Sequence, residues 1–296
     1  MAGPVALRAD AVRAVVDVER GGRVASLVID GHEILVGPPD ATDRSIRWGL
    51  FVMAPWVGRL SGGRLHWGGS AIQLPRNHGR HAIHGLTFDR AWQVDRREAA
   101  SSELSIELDR GRWPFGGRVR QRLELRPDSL DLAAEIEADE PMPAALGWHP
   151  WFRRALADGD DGDLVRLRVA ATDVLERRAM IPTGRTVAVR GSTDLRAGPA
   201  LGSRRLDDAF VGVRESPMID WPALRLTLRI ADPLSVVTVY SPPDALCVEP
   251  QTGWPNALGL PGPVAGQAGA VIVNPGRPLR VGWSLHWQSR SPRSRE

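Results

Sequence analysis

"VRQRLELRPDSLDLAAEIEA", residues 119–138, is the stretch whose reading decides the fold class. Two runs of alternating apolar and polar residues flank Pro127, Asp128 and Ser129, residue types that favour a tight turn. Alternation with a period of two sends successive side chains to opposite faces of a strand. Each run therefore reads as a strand with one wet face, and the pair as a β-hairpin. The same alternation recurs in "ELSIELD" (103–109), with Leu104, Ile106 and Leu108 on one face, and in "RLTLRI" (225–230), with Leu226, Leu228 and Ile230. "RVASLVIDGHEILV" (23–36) offers a further hairpin around Asp30 and Gly31.

Helical signals are scarce, because 24 prolines and 31 glycines rarely leave a window long enough for apolar residues at i, i+3, i+4 and i+7. These patterns predict an all-β chain of more than a dozen largely antiparallel strands in packed sheets, with few and short helices. A length of 296 residues with 43% hydrophobic residues is ample for a sizeable core. No repeat or linker interrupts residues 1–290, which read as one domain. "ALADGDDGDL" (155–164) reads as an acidic surface loop, and residues 291–296 as a frayed basic tail.

Composition excludes several kinds of function. All 38 basic residues are arginine, so a Schiff-base lysine and a P-loop lysine are both ruled out. The formal net charge is only +3 and acidic residues are interspersed throughout, so nucleic acid is not an expected partner. No window approaches eighteen apolar residues, and the first residues lack a basic segment followed by an apolar one. No membrane partner is expected, and a cytoplasmic location is. The single cysteine, Cys247, can form neither an internal disulfide nor an ordinary zinc site. Gly-rich dinucleotide fingerprints, G-x-S-x-G and H-E-x-x-H are all missing, and no cofactor is expected.

Chemistry concentrates in a few segments. "CVEPQTGWPNA" (247–257) delivers a carboxylate, Glu249, from an apolar run into a loop with Gln251, Trp254 and Asn256. A charge at the end of a buried run is paired or used. A carboxylate there could abstract a hydroxyl proton while its polar neighbours orient a ligand. "LGWHPWF" (146–152) holds His149 between Trp148 and Trp151 and before Pro150, a fixed extended pose between apolar walls. "NHGRHAIHGL" (77–86) contains His78, His81 and His84. In an extended segment His78 and His84 share a face, and glycines at 79 and 85 oppose the helix that would align all three on a metal, so no metal site is expected. Arg59 in "APWVGRL" (54–60) and Asp207 with Asp208 in "RRLDDAF" (204–210) complete a set of forked donors and acceptors suited to a polyhydroxylated ligand. Eleven tryptophans supply flat faces for a sugar ring, although most belong to a core.

In chain order, "GGRVASLVIDGHEIL", "APWVGRL", "HAIHGLTFDRAWQV", "GWHPWF", "IPTGR", "LDDAF" and "CVEPQTGWPNA" resemble the aldose 1-epimerase family, also called galactose mutarotase-like proteins. The resemblance runs from about residue 15 to about residue 288 and implies a β-supersandwich whose concave face binds an aldose and interconverts its anomers without a cofactor. It assigns Glu249 as general base and His149 as general acid, on opposite sides of the pyranose. It assigns His84, Arg59 and Asp207 to hold the ligand, with Asp208 the alternative to Asp207. Three positions depart from the galactose-specific pattern: Leu86 where those enzymes carry a second glycine, "GWHPWF" around His149, and Gly58 where asparagine is frequent. The residues alone also allow a hexose-phosphate 1-epimerase, with arginines converging at the pocket rim, or a sugar-binding module without turnover.

Overall fold

The computed structural model describes residues 3–40, 42–156 and 161–290. The acidic loop expected at 155–164 falls partly, and the basic tail at 291–296 wholly, outside them. The described residues form antiparallel strands with one short α-helix, Gly262–Gln267, as the alternation pattern predicts. Residues 118–137 form the expected hairpin, strands Arg118–Leu125 and Ser129–Glu137, with Leu125 opposite Leu130. Ser129 is not a turn residue. It opens the second strand, buried, and its carbonyl accepts from Arg126 N–H at 2.7 Å. The second hairpin turns at Asp30 and Gly31, both with positive φ, the backbone that a two-residue turn between twisted strands requires.

Two large sheets carry the fold. An eight-stranded sheet contains the 118–137 hairpin, the long strand Leu279–Ser289 and strand Leu224–Arg229. Its alternating strands bury one face, with Leu226, Leu228 and Leu285 fully inside. The outer face is laced with ion pairs such as Arg120–Glu137 and Arg280–Glu135.

The second sheet has eleven strands. At its centre Leu50–Met53, Gly147–Arg153, Ala245–Gln251, Val236–Tyr240, Asp207–Val211 and Asp173–Arg178 lie side by side in that order. Its two middle strands are buried on both faces, which is why neither shows a clean alternation of polar and apolar residues. From Gly147–Arg153, Trp148 points back into the core and meets Trp283 of the other sheet at 5.9 Å between ring centroids. His149 and Trp151, on the opposite face, point away from that core into the hollow described next.

Candidate functional site

Strand register assembles the site in two lateral rows. Gly147 lies opposite Gln251, and Trp151 opposite Cys247, so the frame between them sets His149 across from Glu249. On the far side His149 pairs with Phe51, and Glu249 pairs with Thr238, whose neighbour in turn is Ala209. The first row therefore reads Phe51, His149, Glu249, Thr238, Ala209 across five strands. One step along, Cys247 pairs with Tyr240 and Tyr240 with Asp207, giving a second row of Trp151, Cys247, Tyr240 and Asp207. Arg177 continues this row, its guanidinium 3.5 Å from Asp207 and 3.3 Å from Asp208.

Loops and a short ladder supply the walls. Strand Arg59–Leu60 pairs with Ala82–Ile83, which brings Arg59 and His84 together. His84 has φ of 57° and the next residue, Gly85, 77°. A side chain on Gly85 would strike the Ala54 carbonyl oxygen at 2.0 Å, so only glycine lets this turn close and aim His84 inward. His84 N–H donates to the Gly58 carbonyl at 3.0 Å. Gly58 itself sits at φ of 56°, a left-handed backbone that glycine adopts freely. Here the missing side chain also admits Pro255, against which a Cβ would lie at 2.5 Å.

The result is a hollow of about 180 Å³. His84, His149 and Glu249 are buried beneath it, and Arg47, Arg59, His78, Arg177, Asp207 and Tyr240 also line it. His149 Nε2 and Glu249 Oε1 are 3.3 Å apart. Phe51 stacks on one side of the His149 ring, with centroids 5.0 Å apart, and Trp151 on the other at 5.4 Å and 2° between planes. The His84 ring stands edge-on to His149 at 4.7 Å. Thr238 Oγ1 and Trp151 Nε1 are buried in this wall with no hydrogen-bond partner among the described residues.

Burial sets the protonation of this floor. It pushes His149 down to about 3, helped by the nearby Arg23 cation. It also holds His84 well below the ordinary imidazole range, with His149 adding to the effect. Glu249 is pushed well above the usual carboxylate range by burial and then by Asp207, against the opposing pull of the Gln251 hydrogen bond and Arg59. A 3.3 Å contact would by itself favour the ion pair; desolvation favours the neutral forms and dominates for both groups.

The structure brings Glu249, His149, His84, Arg59 and Asp207 into one hollow, and corrects five readings. Gln251 does not face a ligand: it is fully buried behind Glu249 and donates from Nε2 to Glu249 Oε2 at 3.0 Å. Trp254 packs beside Leu175, Ala209 and Val236 and does not line the hollow. Asp208 is on the alternate face of its strand from Asp207 and does not line it either. Glu249 and His149 are not on opposite sides of the space; they are neighbours on its floor. Asn256, expected to orient a ligand, instead accepts from Ser61 N–H at 2.9 Å and ties its loop to the strand carrying Arg59.

Sequence reasoning missed Arg47, Arg177, Thr238 and Tyr240, and used His78 only in a metal argument. Thr238 and Tyr240 were legible in principle, two apart in "VVTVY", but nothing local distinguishes the two arginines. His81 Nδ1 accepts from Gly62 N–H at 3.2 Å, its Nε2 lies 3.3 Å from Arg80 Nε, and it does not line the hollow that His78 and His84 share. A different trio could hold a metal ion: ligand atoms of His84, His149 and Glu249 lie within 4.8 Å of one another.

Comparison with known proteins matches residues 5–285 to the family model described as aldose 1-epimerase. The chain belongs to the aldose 1-epimerase family. The fold is that of a putative aldose 1-epimerase from Escherichia coli K12 (TM-score 0.84, 20% identity, 97% of this chain and 99% of that one). It is equally that of a galactose mutarotase-like protein from Clostridium acetobutylicum (TM-score 0.85, 18% identity, 96% and 95%). Among curated relatives, the uncharacterized protein YihR of Escherichia coli K12 is 24% identical over 284 residues, 91% of this chain and 89% of that protein. The uncharacterized protein YphB of the same organism is 32% identical over 116 residues, and that match spans 38% of its length.

Proposed function

We propose that this family member interconverts the α and β anomers of an aldose, with Glu249 as the base and His149 as the acid. The observation that carries the reading is the direct apposition of a buried imidazole and a buried carboxylate on the floor of this hollow. The atoms to be served are the anomeric hydroxyl O1 and the ring oxygen O5, both bonded to C1. Two atoms on one carbon call for an acid and a base side by side, as this pair stands. Arg59, Asp207 and His84 hold the remaining hydroxyls.

The pair works with one proton. With it on His149, Glu249 is an anion and removes the O1 proton while imidazolium protonates O5, and the C1–O5 bond opens. Both groups are then neutral, the state that burial favours, and the ion pair that starts the cycle is formed against that same preference, so burial gives the cycle no net drive. Rotation about C1–C2 presents the other face of the aldehyde, and reclosure reverses both transfers. Phe51 and Trp151 fix the imidazole plane throughout, and Gln251 fixes the carboxylate.

Glu249→Gln keeps the shape and the Gln251 contact but removes the base. Polarimetry on freshly dissolved sugar should then show kcat lowered by about 10² to 10⁴. Undiminished catalysis in that variant, with an unchanged circular dichroism spectrum, would remove Glu249 from the mechanism.

A further inference from the structure

Three guanidiniums, Arg47, Arg59 and Arg177, line this one hollow together with His78. Outside the one-proton pair, the lining offers them a single carboxylate, Asp207. Asp207 is not tightly engaged by any of them: Arg59 stands 3.7 Å away and Arg177 3.5 Å, where a formed charge-assisted bond is about 2.7–2.9 Å. Arg225 on Asp220, at 2.6 Å, shows how a satisfied pair looks elsewhere in this chain. Arg177 has a second contact, to Asp208 at 3.3 Å. Among the described residues Arg47 has no carboxylate within 4 Å, and none of the three guanidiniums donates a hydrogen bond. Burial lowers the protonation of His78, and Arg59 and then Arg47, which line the same hollow, lower it further.

Their placement along the hollow is informative. The proton-transfer pair occupies the first lateral row, and Arg177 lies in the second beside Asp207. Gly49 is level with Trp151 of the second row, accepting its N–H at 2.9 Å, and Arg47 is two residues further from the first row along the chain. Arg47 and Arg177 therefore add positive charge away from the groups that act on C1, whereas Arg59 stands with His84 beside those groups. Guanidinium forks recognise oxyanions in preference to neutral hydroxyls, and three of them with loose partners suit a ligand that brings its own negative charge.

We infer that the aldose carries an anionic substituent, a phosphate or a carboxylate, on the end of the ring remote from C1. This rests on the anomer-exchange reading above and names the substrate class for that site. The test compares anomer equilibration of glucose, glucose 6-phosphate and glucuronate, spontaneous rates subtracted, in the wild type, Arg47→Gln and Arg177→Gln. At least one anionic sugar should show kcat/KM tenfold or more above glucose at low salt. That preference should shrink as salt is raised and fall severalfold in either variant, mainly through KM. The two anionic arms separate a phosphate from a carboxylate ligand. Equal kcat/KM for neutral and charged sugars, or a preference indifferent to both substitutions, overturns the inference while leaving anomer exchange standing. If no sugar is equilibrated, the proposed reaction fails, and calorimetric binding of the same three sugars decides the charge preference alone: tighter binding of an anionic one supports it, equal or no binding overturns it.

Discussion

Glu249 and His149 are each pushed by burial toward the uncharged form, one upward and the other downward. As a pair they therefore keep one proton over a wide pH range, and their titrations belong to the pair. The catalytic profile should consequently run flat through pH 6.5, with no inflection at the ordinary histidine value, an outcome that initial rates between pH 4.5 and 8.5 would check. Stability carries the complementary signature. An unfolded His149 takes up a proton near pH 6.5, whereas the folded one resists until about 3. Its contribution is thus intact above pH 6.5 and lost as pH falls toward 3, with a slope of up to roughly 1.4 kcal/mol per pH unit. His149→Phe, which fills the same slot between Phe51 and Trp151, removes that slope. Urea midpoints at pH 4.5, 5.5 and 6.5 should show the wild type losing stability relative to the variant on acidification. A constant difference would mean that His149 is freely protonated in the folded state.

At the scale of elements, the site depends on side chains that strands place by register and on loops that a buried cation holds. Gln251 reads from the sequence as a loop residue, but it ends the strand that carries Glu249; the hollow ends between the two, and no local pattern marks where a cavity stops. Arg177 and Arg47 were illegible for a related reason. In a chain whose basic residues are all arginine, an arginine becomes distinctive only once topology sets it beside a second row of site residues. Arg23 shows the same limit. It is fully buried, lies over Trp48 at 4.0 Å, and donates to the carbonyls of Arg20, Ser45, Trp48 and Phe88. Burial lowers it to about 9, which leaves it charged at neutral pH. Removing such a group leaves its buried carbonyls unpaired, so Arg23→Met should cost about 3–5 kcal/mol. It should also move the acid limb of the rate profile to higher pH, because His149 loses a neighbouring positive charge. Arg23→Lys keeps the charge but not the fork. It should lose stability and leave that limb in place; a limb that moves equally in both variants would show that packing, not charge, sets His149.

Across the whole molecule, what was legible follows from which faces meet water. The eight-stranded sheet has one wet face, so its strands alternate and announce themselves, as in Leu130, Leu132 and Ile136 of the opening hairpin. The centre of the eleven-stranded sheet is covered on both sides, and Gly147–Arg153 and Ala245–Gln251 carry almost unbroken burial that no periodicity reveals. Those strands were found through their charged residues and through family resemblance instead. The arrangement gives one sheet two jobs: Trp148 faces the other sheet and packs on Trp283, while the next residue, His149, faces the hollow. If the two faces are energetically separate, a large deletion on the core side should weaken the fold without retuning the chemistry. Trp148→Ala is expected to cost about 3–5 kcal/mol, measured by urea unfolding. The fraction that remains folded should retain the pH dependence of the wild type. Displaced limbs in that profile would mean that core packing beneath the strand reaches through the backbone to the pair above it, and that the floor of the hollow is held from below as well as from its sides.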